Sequence, residues 1–215
     1  MASQTGSEIP TTFIYGEDGL TFWALRWHLQ DLLKRIGDSS PAKRCVVFYR
    51  PSFGRRGGSK RSEFGEFDAI LGTEGAVYLI ESKWDGSGNP AEEIQLKEPQ
   101  ARRHVILRWI RDRWTNGSFP SWEVFKTRYQ TDFRRNFDMK PLAPVGSKLA
   151  RNLEFVLRSL AKHPAATKDI LLFFHPPGTP VPPKVLLPSR FKSLQFRVVG
   201  FPYTPVGGSG MVECV

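Results

Sequence analysis

The stretch from Phe64 to Trp84 alternates apolar and polar residues in a way that predicts a β-hairpin carrying acids inside its apolar strands. In the first strand the period of two would place Phe67, Ala69 and Leu71 on one face, and Glu66, Asp68 and Ile70 on the other. Asp68 is therefore expected in the middle of a strand. In the second strand one face would hold Leu79, Glu81 and Lys83, so Asp68 should meet the carboxylate and the ammonium group across the ladder.

Other segments have the apolar spacing of amphipathic helices, and the sequence predicts helices over residues 19–36, 92–114 and 148–160. A break of the second helix at Pro99 is left open. Residues 121–137 carry a stripe of five aromatic residues at helical spacing, which favours core packing over base stacking. Continuous apolar runs predict buried strands at 45–49, 169–175 and 194–201. The order of these elements predicts an α/β fold with a central mixed β-sheet flanked by helices.

A chain of 215 residues suits a single domain, and we expect one over 1–215. Its core is expected at about 12–116 plus 147–203, with residues 117–146 as a helical elaboration and 204–215 as a flexible tail.

The net charge of +10 points to a polyanionic partner, because Lys and Arg side chains gain affinity by displacing counterions from phosphates. The sequence has no apolar run long enough for a bilayer and no signal-peptide pattern at its start, so we expect a cytoplasmic protein with no membrane contact. The two cysteines and four histidines lack metal-ligand spacing, so any metal should be held by oxygen atoms.

Two basic segments are candidates for contact with nucleic-acid phosphates. The segment 50–61 places five basic residues among glycines and serines and is predicted to be a mobile loop, with a solvated hairpin tip as the alternative interpretation. The second is the basic side of the helix predicted at 92–114, which could equally be a solvated face. The residues predicted to bind nucleic acid are Arg50, Arg55, Arg56, Lys60, Arg61, Arg102 and Arg103.

The hairpin resembles the core of PD-(D/E)xK, or restriction-endonuclease-like, nucleases. In that superfamily an Asp is followed, after one hairpin, by Glu-x-Lys; here Asp68 is followed by Glu81-Ser82-Lys83, with twelve residues between the acids. The phrase DAILGTEGAVYLIESKWDGS also resembles nuclease-related (NERD-like) domains and Mrr-type restriction enzymes. The resemblance covers about 25 residues and implies a restriction-endonuclease-like sheet. The chain departs from the pattern in having no Pro before Asp68.

The resemblance implies a Mg2+-dependent deoxyribonuclease, with Mn2+ as a substitute and an endonuclease as the expected type. Asp68 and Glu81 would bind the metal with the Ser82 carbonyl, and Lys83 would activate the attacking water. The superfamily also implies an acid on the first helix, for which Glu17 is favoured over Asp18 and helix capping is an equal alternative. A Gln on the following helix is implied too, and Gln100 is favoured over Gln95.

The triplet alone carries little weight, since 21 acids and 12 lysines give about one (D/E)xK by chance, and Asp138-Met139-Lys140 is a second copy. The strand context of Glu81 and Lys83 separates the two copies. A cross-strand salt bridge on a solvated sheet face is the structural alternative. A non-catalytic nucleic-acid-binding or assembly module with a nuclease-like fold is the functional one, and a structural protein with an acidic protein partner is a third interpretation. DNA is the expected partner, RNA is not excluded, and a homodimer is compatible with the sequence.

Overall fold

The computed structural model describes residues 11–53, 65–85, 92–164, 166–182 and 184–214. Its centre is a five-stranded sheet in the spatial order β2, β3, β4, β6, β8. These strands are β2 Val46–Tyr49, β3 Ala69–Gly72, β4 Val77–Trp84, β6 Thr167–His175 and β8 Phe196–Pro202. Strand β3 pairs antiparallel with both β2 and β4, whereas β6 is parallel to β4 and β8 is parallel to β6. The predicted mixed sheet of an α/β fold is confirmed.

Helices cover both faces of this sheet. They are α1 Gly16–Arg26, α2 Leu29–Arg35, α3 Glu98–Gly117, α4 Trp122–Asn136 and α5 Lys148–Leu160. One face, with Ala69 and Ile80, packs against α1 and α2. The opposite face, with Ile70 and Leu79, packs against α3, α4 and α5. No helix formed by the described residues combines the length and apolar composition that crossing a bilayer demands.

The aromatic stripe at 121–137 packs into the core, as its spacing predicts. Four of its rings are buried in the cluster between α3, α4 and the sheet, and Tyr129 packs against that cluster. The helix predicted at 148–160 is α5 itself, which buries its leucines against the same face. Both segments could be predicted from the sequence because burying one face of a helix requires this period.

The first predicted helix is wrong as a single element. Helix α1 ends at Arg26, with Trp27 as its C-cap residue, and His28 leaves the helical region with φ −121° and ψ 24° before α2 begins. The His28 ring packs on Trp23, with 4.2 Å between ring centroids. The chain therefore turns after α1, and the two short helices lie over the same face of the sheet.

The long basic helix also begins later than predicted. Strand β5 Glu93–Gln95 comes first and pairs in parallel with β7 Lys184–Leu186, so helix α3 starts only at Glu98. Pro99 lies in the first turn of α3, where its missing N–H costs no helical hydrogen bond, and it does not break the helix. Arg111, predicted on the polar side of this helix, is buried and donates to the Thr167 hydroxyl.

The tail predicted to be flexible over 204–215 is ordered in part. Strand β9 Met211–Cys214 pairs antiparallel with β1 Thr12–Tyr15, a strand that the apolar pattern does not predict. This pair brings the two ends of the chain together beside α1.

The predicted hairpin is formed by β3 and β4, with Ala69 opposite Ile80 and Gly72 opposite Val77. Its first strand is shorter than the sequence suggests, because the chain bends at Asp68 and the strand begins one residue later. Phe67 consequently packs on the same side as Ile70 and not with Ala69. Asp68 therefore lies at the entrance of a strand, not in its middle as predicted.

A buried aspartate fastens the turn of this hairpin to the end of α2. Asp38 accepts hydrogen bonds from the Thr73 hydroxyl at 2.6 Å, the Tyr78 hydroxyl at 2.8 Å and the Ser40 N–H at 2.8 Å. Replacing Asp38 by Ala would leave these buried donors unpaired, so we expect the free energy of unfolding to fall by about 2–4 kcal/mol. Urea denaturation measures this loss. The exposed Asp31→Ala, which removes only a surface pair with Arg35, should cost less than about 1 kcal/mol, and equal losses would contradict the assignment.

Candidate functional site

The candidate site lies where β3 begins and β4 approaches its end. Asp68 precedes β3, and Glu81, Ser82 and Lys83 follow one another within β4. The Asp68 carboxylate accepts a hydrogen bond of 2.7 Å from the Ser82 N–H, which ties the two strands together at the acids. The other oxygen of Asp68 has no hydrogen-bond partner among the residues that the structure describes.

Lys83 is held by the first turn of α1. Its Nζ lies 3.3 Å from both carboxylate oxygens of Glu17 and 2.7 Å from the Ser82 carbonyl oxygen. The Thr21 hydroxyl, one turn along α1, lies 2.7 Å from the Ser82 hydroxyl and fastens the helix to β4. Glu17 is thus the acid of the first helix that reaches Lys83, whereas Asp18 pairs with Arg50.

Glu81 is fully buried and surrounded by donors from the start of α3. One of its oxygens lies 2.6 Å from Nε of Arg103 and 3.0 Å from Nε2 of His104. The other accepts from Gln100 at 3.1 Å and from the second arm of the Arg103 guanidinium. Of the two predicted glutamines, Gln100 contacts the site, and the exposed Gln95 lies in β5. The alternative of a cross-strand salt bridge on a solvated sheet face does not hold for Glu81, because this side chain is buried.

His104 links Glu81 to a second buried acid, Asp169 on β6. Its Nδ1 lies 2.8 Å from Asp169, and Arg108 pairs with the same carboxylate at 2.5 Å. Sequence reasoning missed His104, Arg108 and Asp169 as parts of the site. A signal was present, because Gln100, His104 and Arg108 follow one another at four-residue spacing and so share one face of α3.

The three carboxylates of the site differ in their electrostatic surroundings. Burial, with the negative charges of Glu81 and Glu17, raises the pKa of Asp68 to about 6. Burial also raises the pKa of Glu17, although Lys83 opposes this. Burial acts on Glu81 in the same direction, but the hydrogen bonds from His104 and Arg103 outweigh it, so the pKa of Glu81 is lowered. The hydrogen bonds to Asp169 and Glu81 raise the pKa of His104 despite its burial. The His104 ring therefore lies between two carboxylates, which favour its charged form.

The raised pKa of Asp68 has a consequence for stability. Its folded pKa of about 6 exceeds the ordinary 3.8, so the charge destabilises the fold fully above pH 6 and not at all below pH 3.8. We expect Asp68→Asn, which keeps an acceptor for the Ser82 N–H, to raise the free energy of unfolding at pH 7.5 by about 1–3 kcal/mol. Urea denaturation at pH 7.5 and pH 4 measures this gain, which should vanish at the lower pH. A loss of stability at pH 7.5 would contradict the description of Asp68.

The residues predicted to hold nucleic acid are paired within the chain where the structure describes them. Arg50 pairs with Glu66 and Asp18, Arg102 with Glu98 and Asp138 at 2.8 Å each, and Arg103 with Glu81. Arg103 lies in the site and not on a solvated face. The remaining predicted residues lie outside the described part of the chain; they are Arg55, Arg56, Lys60 and Arg61. Phosphate contact by these seven residues stays a prediction.

The carboxylates of the site are the kind of ligand that a hard cation prefers. In the described part of the chain only one of them has an oxygen free to bind it. Asp68 keeps one oxygen free of hydrogen bonds to the described residues, and burial, with the negative charges of Glu81 and Glu17, raises its pKa, an effect that a bound cation would oppose. Both oxygens of Glu81, however, are engaged by Arg103, His104 and Gln100. Among the described residues, no three or more His, Cys, Asp or Glu side chains are grouped as a metal ion would need. Glu81 could bind a metal only after exchanging its Arg103 partner.

Comparison of the chain with protein-family models, curated proteins and solved structures returns no match in any of the three.

Proposed function

We propose that the protein is a metal-dependent nuclease that hydrolyses phosphodiester bonds of DNA. One observation carries the proposal: side chains from three separate segments meet around Glu81-Ser82-Lys83. Glu17 of α1 reaches Lys83, Asp68 of the preceding loop reaches the Ser82 N–H, and Gln100 of α3 reaches Glu81. These are the positions that the resemblance to PD-(D/E)xK nucleases implies, and they come together although Gln100 follows Glu17 by 83 positions in the chain.

Each side chain has a role that fits its surroundings. Bound Mg2+ or Mn2+ would neutralise the scissile phosphate and lower the pKa of the attacking water. Asp68 would hold it through the oxygen that lacks a hydrogen bond, together with Glu81 and the Ser82 carbonyl. Lys83, fixed between Glu17 and that carbonyl, would orient the water and offset charge developing on the phosphate as an ammonium, and would accept the proton of the water only as a neutral amine, after giving up its own proton to solvent.

Arg103 supports the proposal through its position. Its guanidinium contacts both oxygens of Glu81 and is slightly exposed at 13% of its side chain, so it stands between the buried acid and solvent. An arginine at this position can exchange a carboxylate partner for a phosphate, because both groups present two oxygens that accept hydrogen bonds from the guanidinium N–H groups. Substrate phosphate arriving at the site would draw Arg103 from Glu81 and free that carboxylate for the metal.

The hydrogen bonds on Glu81 also favour a second candidate function. A domain whose acid is permanently neutralised by Arg103 and His104 could bind nucleic acid and assemble on it without hydrolysis. Such a module would show tight, salt-dependent DNA binding that Asp68→Ala and Lys83→Ala leave unchanged, and no metal-dependent turnover. The nuclease is preferred because a pure binding site has no need of a largely buried carboxylate near Glu81 and Glu17 with one oxygen free of hydrogen bonds to the described residues.

The test is cleavage of plasmid, linear duplex and single-stranded DNA, and of single-stranded RNA, with Mg2+, with Mn2+ and with EDTA. The proposal predicts hydrolysis with either metal, none with EDTA, and loss of hydrolysis in Asp68→Ala. Undiminished cleavage by Asp68→Ala would overturn the site assignment. Absence of turnover from every substrate, with DNA binding retained, would favour the binding module.

A further inference from the structure

An open groove begins beside the candidate site and runs along α1. It has a volume of about 470 Å3 and lies between α1, the start of α2 and strand β2. Its lining is mostly apolar, with two basic side chains and no carboxylate among the described residues. The lining residues are Phe22, Leu25, Arg26, Leu29, Ala42, Lys43, Val47 and Tyr49.

Two aromatic rings of the groove, those of Phe22 and Tyr49, are in contact with solvent, and so is the ring of Trp27, which adjoins Phe22 outside the groove lining. Phe22 is 39% exposed, Tyr49 is 36% exposed and Trp27, at the end of α1, is 42% exposed. Their ring centroids are 5.2 Å apart between Tyr49 and Phe22 and 5.5 Å apart between Phe22 and Trp27. Three adjoining exposed rings form a continuous aromatic surface. Exposed apolar surfaces of this kind commonly mark a site where another molecule binds.

The aromatic surface is continuous with the candidate site. Tyr49 pairs across the sheet with Ala69, the residue after Asp68, and the Arg50 N–H donates to the Asp68 carbonyl oxygen at 3.1 Å. The Tyr49 hydroxyl donates to the Asp18 carbonyl oxygen, one residue from Glu17. A polymer whose backbone lies at Asp68 can therefore continue over Tyr49 onto Phe22.

The charges of the groove favour a polyanion as its occupant. Arg26 and Lys43 are exposed at its rim, and neither forms an ion pair with another residue in the described part of the chain. Phosphates at the rim and bases on the aromatic surface match the way in which proteins hold single strands, where stacking supplies affinity without sequence preference. A duplex offers no such contact, because its base faces are covered by neighbouring pairs.

We propose that this groove binds single-stranded nucleic acid, and that the substrate entering the candidate site is a single strand or an unpaired end. Strand binding is inferred from the groove alone, whereas the role of the strand as a substrate rests on the proposed nuclease function. A second copy of the chain, pairing through the free edge of β2, is the competing occupant.

The test measures binding by fluorescence anisotropy in EDTA, so that no cleavage interferes. The probes are a 20-nucleotide DNA strand without self-complementarity, the same sequence as RNA, and its blunt DNA duplex. Phe22→Leu and Trp27→Leu should each weaken binding of the single strands about tenfold and that of the duplex less than about twofold. Phe155→Leu, an equal change at a 66% exposed ring on α5, should leave all three affinities unchanged.

The basic residues of the rim provide a second measurement that does not depend on packing. Arg26→Gln and Lys43→Gln should each reduce the slope of log affinity against log salt for the DNA strand by about 0.7, the share of one phosphate contact. The salt dependence of Arg26→Gln and Lys43→Gln can be interpreted even if Phe22→Leu alters folding. A melting curve of Phe22→Leu would reveal such an effect.

Three results would overturn the groove assignment. Unchanged single-strand affinity in Phe22→Leu and Trp27→Leu would do so, and so would an equal loss of duplex affinity. A wild-type dimer in solution that Phe22→Leu dissociates, with strand binding intact, would assign the groove to a second copy.

The same measurements separate the groove from the nuclease. If the wild type binds strands through the groove but never cleaves them with Mg2+ or Mn2+, the groove assignment stands and the nuclease fails. If the wild type cleaves strands while its affinity for them is insensitive to Phe22→Leu and Trp27→Leu, the nuclease stands and the groove assignment fails.

Discussion

Lys83→Ala is expected to lower the rate of metal-dependent hydrolysis by about 10²- to 10⁴-fold, the usual contribution of a positioned proton-transfer group. The Lys83 ammonium is held by Glu17 and by the Ser82 carbonyl oxygen. Lys83→Arg should not restore the rate, because a guanidinium spreads its charge over a planar fork and does not lose its proton at neutral pH. Initial rates at saturating Mg2+ measure both effects.

Lys192→Ala is the matched control for that experiment. Lys192 is exposed, lies outside the site and contributes the same charge to the chain. Its loss should change the rate less than about twofold, so a lower net charge alone cannot explain the effect of Lys83→Ala. A Lys83→Ala enzyme whose rate stays within about threefold of the wild-type rate would remove Lys83 from the chemistry.

Glu81→Ala is expected to lower the free energy of unfolding by about 3–5 kcal/mol, because it leaves buried cations without their counter-charge. Arg103 and His104 both rely on Glu81, and His104 is completely buried. Urea denaturation at pH 7 measures the loss. Asp68→Asn is the internal comparison, since it changes a neighbouring carboxylate and should increase stability. A loss below about 1 kcal/mol in Glu81→Ala would contradict the account of this buried network.

The pH dependence of the network follows from the signs of its pKa shifts. The lowered pKa of Glu81 contributes stability that is present above its ordinary 4.5 and is lost as the pH falls through the folded value. The raised pKa of His104 contributes stability that is complete below 6.5 and is lost as the pH rises through its folded value. Glu81 and His104 therefore stabilise the fold together between these limits.

Much of the fold could be predicted because its elements bury one face each. Strand β4 is an exception, because its apolar run is buried on both faces, but the run in β4 and the helical spacing in α5 both indicate burial, and both elements lie where the sequence indicates. The pairing of β5 with β7 could not be predicted, because each is three residues long and 91 positions separate Glu93 from Lys184. Strand β9 was missed for a similar reason, since its partner β1 lies at the other end of the chain.

The sequence predicts those site residues that belong to a local strand pattern. It does not predict the polar residues that are buried through contacts with distant segments. Glu81 and Lys83 follow from the strand that contains them, and Glu17 and Gln100 entered only through the resemblance to nucleases. The interpretation of Arg103 as a surface residue failed because composition does not reveal which arginine of a basic helix faces a buried acid. Asp169 was hidden within an apolar run that gave no sign of His104 opposite it.

Anomalous diffraction from crystals soaked in Mn2+ together with a short DNA strand, which supplies the phosphate expected to draw Arg103 from Glu81, tests the central claim most directly, because it locates the metal independently of turnover. The account predicts one strong peak within coordination distance of the Asp68 oxygen that lacks a hydrogen bond, with Glu81 turned from Arg103 to the metal. The peak should be absent from Asp68→Asn crystals. No peak at Asp68 at saturating Mn2+, with Glu81 still held by Arg103 and His104, would contradict a metal-dependent nuclease at this site.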